Sequence, residues 1–309
     1  MNTPTKLLPT YLLLATVVLV WALAWPISKI GLDYMAPIWY TVYRLAIAAA
    51  ACFALLAIQG NLTLPKRADL PIIFSIGILQ MSLFLMLVNY GLNFVDAGRS
   101  AILVYSTPLW VTPLAILFFG EKTTLLKLVG VLFGLFGIFL LFSPWEFSWN
   151  NSSVVLGNLM LLMAAMMWAI TMLHTRFGKW HSSAALLVPW QLLLALILTL
   201  PAAIILEPQT HIIWNAPLIY TLLYNGLLAT AFGYWAALMV SRNLPVVTTS
   251  LYFLAVPVIG LLLSSYILHE SLTLTAMMAM SSIVFGLACV ALSGDRFRAP
   301  AKEAPALNN

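Results

Sequence analysis

The chain has 309 residues, of which 63% are hydrophobic and 7% charged, with a formal net charge of +5. Soluble domains run at about 45–50% apolar and about 25% charged, and disordered chains are poorer still in apolar residues, so neither class accommodates this composition. At about 20 residues for each crossing of a ~30 Å hydrocarbon layer, the apolar content suffices for about ten spans.

In chain order, the apolar runs predict spans over 10–30, 37–58, 70–92, 98–119, 124–143, 154–174, 183–206, 212–238, 246–267 and 274–293. The runs are continuous, where barrel strands would alternate, so the spans are helices and the fold class is an all-α membrane protein with ten transmembrane helices. Lys6 ahead of the first run, with Ala22-Leu23-Ala24 inside it, loosely has the form of a cleavable signal. A single leading Lys and nine further runs read instead as a retained first span. Cys52 and Cys289 are too few and too far apart for a disulfide framework or a zinc site, and read as small apolar residues. The segment 294–309 is a polar tail.

Charge then orients the spans. With the N-terminus cytoplasmic, the inner loops and tails hold Lys6, Lys66, Arg67, Lys122, Lys127, Arg176, Lys179, Arg242, Arg296, Arg298 and Lys302, against Lys29 and Arg99 outside. The positive-inside rule places both termini in the cytoplasm, and the net charge is topology information with no nucleic-acid partner implied.

The chain carries an internal repeat. A shift of 149 places Gly77 on Gly226, Pro108 on Pro257, Glu121 on Glu270 and Phe136-Gly137 on Phe285-Gly286. A shift of 147 in the first two spans places Trp21 on Trp168, Lys29 on Arg176 and Arg44 on Gln191. Each copy, 10–143 and 154–293, holds five spans, and an odd number inverts the second copy in the membrane. Inverted repeats are a signature of secondary transporters, with the solute held near the midplane between them.

These residues also carry a family resemblance. Trp21 with Lys29, Arg44, Ala97-Gly98-Arg99-Ser100-Ala101, and the stretch from Pro108 through Phe119-Gly120-Glu121 to Gly130, Gly134 and Gly137 resemble the drug/metabolite transporter superfamily. The likeness is to its ten-helix carriers with two EamA-type repeats. Pro257, His269-Glu270-Ser271-Leu272 and Gly286 continue it in the second copy. It covers roughly residues 10–293 and is a better guide to fold than to solute. Gln191 in place of Arg44 and His269 in place of Gly120 suggest that the halves have different jobs.

Among candidate functional residues, Pro108 and Pro257 lie about ten residues into their spans, where each is expected to bend its helix and act as a hinge or gate. Pro26, Pro113, Pro189 and Pro217 are expected to add kinks. Gly130, Gly134 and Gly137 share a helix face suited to close packing, with Ala279, Ile283 and Gly286 as their equivalents.

Arg44, roughly 10 Å down its helix, is either a fixed cation for a solute carboxylate or phosphate, or the structural partner of Asp33 or Asp96. The resemblance favours the structural role. Glu121 and Glu270 read as turn caps. Trp21, Asn89, Tyr90, Tyr105, Trp168, Gln191, Tyr234 and Tyr252 complete, with Arg44, the expected solute-binding set, and Trp21 and Trp168 form a matched pair.

The expected function is a secondary carrier in a bacterial-type inner membrane, moving a small organic metabolite outward by alternating access. An amino acid or aromatic compound is the solute that the resemblance supports. No catalytic residue, metal or cofactor is assigned, and the protein is expected as a monomer or homodimer. No G-x-x-x-x-G-K-[ST], H-E-x-x-H or G-x-S-x-G motif is present, which disfavours ATP hydrolysis and an intramembrane enzyme. A channel, the other alternative, would need charge rings or a filter loop that the sequence does not offer.

Overall fold

A computed structural model describes residues 7–119, 124–142, 152–209, 211–243, 253 and 255–292. The described residues form helices joined by short turns, without a strand. We number the helices α1 (Leu7–Leu32), α2 (Pro37–Ile58), α3 (67–94), α4 (Ala97–Val104), α5 (Thr107–Phe119), α6 (Leu125–Phe142), α7 (Ser152–Phe177), α8 (Ala184–Leu206), α9 (216–243), α10 (Ala255–Leu268) and α11 (Leu274–Leu292).

Among the described residues six spans are long and apolar enough to cross a membrane unaided: Thr10–Leu32, Pro37–Ile58, Arg67–Phe94, Ser152–Thr175, Ala185–Leu206 and Ala216–Ala237. Shorter apolar helices lie at Leu128–Leu140, Ala255–Leu268 and Leu274–Gly286. Large apolar side chains such as Leu132, Phe133, Phe136 and Ile205 are exposed on the outside of the bundle. On a multi-pass membrane protein these meet lipid, so their exposure carries no cost in water.

The expected fourth run is two helices. α4 ends at Val104, Tyr105 and Ser106 form a turn, and α5 begins at Thr107. Pro108 is therefore in the first turn of a new helix, where its missing N–H has no intrahelical acceptor to lose. It marks a break in the span and does not bend a continuous helix, because Pro108 lacks the N–H that would carry the helix on by bonding the Val104 carbonyl. Ser106 and Thr107 occupy the break by donating to the carbonyls of Leu103 and Val104 at 2.6 and 2.7 Å.

Pro217 likewise adds no kink. It opens α9, whose N-cap Asn215 accepts from the Leu218 N–H at 2.9 Å. Pro257 is in the first turn of α10, most of the preceding segment lying outside the described residues. Pro26, Pro113 and Pro189 are inside helices.

Two π-helical stretches interrupt long helices, Ile76–Leu83 in α3 and Tyr224–Phe232 in α9. The helices pack in pairs: α2 on α8, α6 on α11, α3 on α7, α9 on α1, and α10 on α1 opposite α4 and α5 on α7. Glycine sets the closest of these approaches. A Cβ on Gly286 would lie 2.7 Å from the Gly134 backbone nitrogen, and one on Gly137 would lie 2.7 Å from the Ala279 carbonyl oxygen. The glycine face thus packs within the chain, α6 against α11.

Among the described residues three carboxylates, two from the second half and one from the first, each hold backbone amides of the opposite half. Glu270 accepts from Ala97 N–H at 2.6 Å and Gly98 N–H at 3.0 Å, at the start of α4. Glu207 accepts from Ile38 and Trp39 N–H at 3.1 Å, at the start of α2. Asp69 accepts from His181 and Ser182 N–H at 2.7 and 3.3 Å, ahead of α8. Neither Ala36 nor Asp96, the local N-cap residues of α2 and α4, caps with its own side chain. The distant carboxylates supply what the first turns lack. Glu121 lies outside the described residues.

Candidate solute site

Trp21, Trp25 and Ser28 recur at helical spacing and share one face of α1. That face borders a cavity closed on other sides by Gln80, Phe84 and Val88 of α3, Arg44 of α2, Tyr105 of the α4–α5 break, Trp168 of α7, and Ala229 and Tyr234 of α9. Both halves of the chain contribute. Its volume is about 80 Å³, smaller than the about 300 Å³ of a typical ligand pocket, so a bound solute requires the lining to move outward.

The walls are aromatic and interlocked. Trp168 meets Tyr105 edge-on at 5.5 Å and Phe84 at 5.6 Å, while Trp21 meets Tyr234 at 6.3 Å. Trp25 meets Tyr105 at 6.4 Å. Trp21 Nε1 donates to the Ala229 carbonyl at 3.0 Å, a carbonyl within the π-helical stretch of α9. That bond uses the indole N–H and leaves the ring face for packing.

Arg44 is the only charged side chain among the described lining residues and is 8% exposed. Its Nε donates to Thr230 Oγ1 at 2.8 Å, and Thr230 in turn donates to the Asn225 carbonyl at 2.7 Å. The π-helical stretch thus fixes the guanidinium's orientation. Among the described residues no carboxylate lies within 4.0 Å of it, so the expected pairing with Asp33 or Asp96 is not formed. Ser28, Asn225 and Tyr40 extend the polar chain behind the wall: Ser28 Oγ donates to Asn225 Oδ1 at 3.2 Å and Asn225 Nδ2 to the Tyr40 hydroxyl at 2.9 Å.

Of the residues singled out from the sequence, Trp21, Arg44, Tyr105, Trp168 and Tyr234 border this one cavity. Asn89 does not: it is fully buried and donates to Thr41 Oγ1 at 2.8 Å, tying α3 to α2. Tyr90 packs on Phe94 at 5.7 Å, and Gln191 is buried in α8 away from the cavity, its Nε2 without a partner. Tyr252 lies outside the described residues. Ser28, Phe84 and Ala229 were not marked by type. Helical phase finds the first two: Ser28 is seven residues on from Trp21, and Phe84 four on from Gln80.

Outside the spans, the half-buried carboxyls of Glu207 and Glu270 are held above the ordinary carboxylate range by burial, against the pull of the amides they accept from. Asp96 pushes Glu270 further up and Lys29 pulls it down. Among the described residues no cluster of His, Cys, Asp and Glu is arranged to hold a metal ion.

Comparison with known proteins agrees with a transport role for this architecture. An "Uncharacterized transporter YoaV" of Bacillus subtilis is 27% identical over 272 residues, covering 88% of this chain and 93% of its own. A "Probable amino-acid metabolite efflux pump" of Escherichia coli is 27% identical over 289 residues, covering 88% and 93%. A solved crystal structure superposes with a TM-score of 0.63 over 91% of this chain and 97% of that one, at 21% identity, a likeness of fold alone. The model of the EamA-like transporter family matches twice, over residues 8–143 and 155–292, and this chain belongs to that family.

Proposed function

We propose that this chain is a secondary carrier, working by alternating access between two inverted five-helix repeats, 10–143 and 154–293, with a polar tail after them. The cavity walled by both halves is the observation that carries this reading: a solute held there is released to either side by rocking one half against the other. The helix pairing supports it, since exchanging the halves returns the same set of pairs: α2–α8 and α6–α11 map onto themselves, and α3–α7 onto α9–α1. The two π-helical stretches, at matching places, and the two family matches support it further.

The solute is a small organic metabolite, an amino acid or aromatic compound, moved outward across the inner membrane with both chain termini cytoplasmic. Pro108 and Pro257, in the first turns of α5 and α10, serve as its gates. Aromatic walls with a few fixed polar groups suit such a molecule, and the relative from E. coli bears an amino-acid efflux name. A thermal-shift screen of purified protein tests this, because a transported solute stabilises the state that binds it. A panel of amino acids and aromatic metabolites should contain stabilising members, and a panel without one contradicts the reading.

A further inference from the structure

The cavity's charge is unbalanced. Among the described residues Arg44 is the one charged lining residue, more than nine-tenths buried and held by Thr230 through Nε alone, and no carboxylate lies within 4.0 Å. A buried cation without an anion is costly, and the missing anion is most economically brought by the ligand itself. The remaining guanidinium donors match a carboxylate in geometry and charge. A dianionic phosphate calls for a second cation, and none is among the described lining residues.

An ammonium group fares worse. The lining offers it no carboxylate, and Arg44's field repels it from the aromatic faces that otherwise attract cations. A zwitterion also leaves the site with its net positive charge, whereas a monoanion neutralises it. From this we infer that the site selects an aromatic or apolar organic monocarboxylate lacking an ammonium group, in preference to the corresponding amino acid, with Arg44 as the specificity-determining residue. This rests on the carrier reading above and narrows its solute class.

Four compounds of one shape test it: 3-phenylpropanoate (anion), 3-phenylpropanamide (neutral), phenylalanine (zwitterion) and 2-phenylethylamine (cation). Competition against labelled 3-phenylpropanoate on detergent-purified protein should show the anion binding at least tenfold tighter than the other three. Arg44→Gln should bring the anion to within about threefold of the amide, and Arg44→Lys should keep part of the preference. Equal binding of amide and anion by the wild-type protein, tighter binding of phenylalanine, or binding of none of the four overturns the inference without recourse to a variant. In proteoliposomes, flux of phenylalanine at or above that of 3-phenylpropanoate overturns the inference and leaves the carrier intact. Absence of protein-dependent flux for every solute in a broad metabolite panel removes the carrier reading itself.

Discussion

Lys29 and Glu270 grip the same turn from its two ends. Lys29 Nζ donates to the Leu92 carbonyl and, at 3.0 Å, to that of Val95, closing the C-terminus of α3, while Glu270 accepts from Ala97 and Gly98 N–H at the start of α4. A cation on bare carbonyls and an anion on bare amides both oppose the helix dipoles. Glu270→Ala removes two charge-assisted hydrogen bonds and should cost about 2 kcal/mol, seen as a lowered thermal midpoint in detergent. An unchanged midpoint would show that the clasp contributes nothing to stability.

The same carboxyls set a pH dependence. Burial raises Glu207 and Glu270 above their unfolded value of 4.5. The native state therefore holds its protons to higher pH than the unfolded state, and that stabilisation is complete below the unfolded value and lost as pH rises through the folded one. Lowering pH from neutrality toward 4.5 should raise the midpoint through these two groups, and a Glu207→Gln, Glu270→Gln double variant should show a flatter profile. A profile as steep as the wild type's would assign the dependence to other groups.

The α6–α11 contact admits no side chain at its tightest point. Gly286→Leu drives a side chain against the Gly134 backbone, and overpacking of this kind costs about 3 kcal/mol. Size-exclusion chromatography and thermal unfolding read the loss, and a well-folded Leu variant at wild-type stability would contradict the packing.

Topology is tested by labelling. In a background with Cys52 and Cys289 replaced by Ala, a membrane-impermeant maleimide should label Asn150→Cys in intact cells and leave Lys179→Cys unlabelled. The reverse pattern would invert the orientation.

The spans were legible in the sequence because lipid demands long apolar runs, and α2 and α8 begin and end close to where hydropathy places them. The break at Tyr105 and Ser106 was not, since a proline reads alike whether it bends a helix or opens one. Arg44 was legible as an intramembrane charge, but its lack of an acidic partner among the described residues needed the fold, because the sequence offers Asp33 and Asp96 as candidates and the structure pairs it with neither. Glu270 was marked as a cap, though the helix it caps belongs to the other half of the chain. Asn89 and Gln191 show the converse: polar type places a residue inside the bundle without saying which face it turns to the cavity.

Solute counterflow by purified protein in ATP-free proteoliposomes tests alternating access most directly. Vesicles preloaded with an unlabelled solute that stabilises the protein should take up the labelled form faster than protein-free vesicles. Trp168→Ala should slow that uptake about tenfold, since one lost aromatic wall is worth about 1.5 kcal/mol. Uptake no faster than in protein-free vesicles, across amino acids, nucleosides and aromatic metabolites alike, would contradict the carrier.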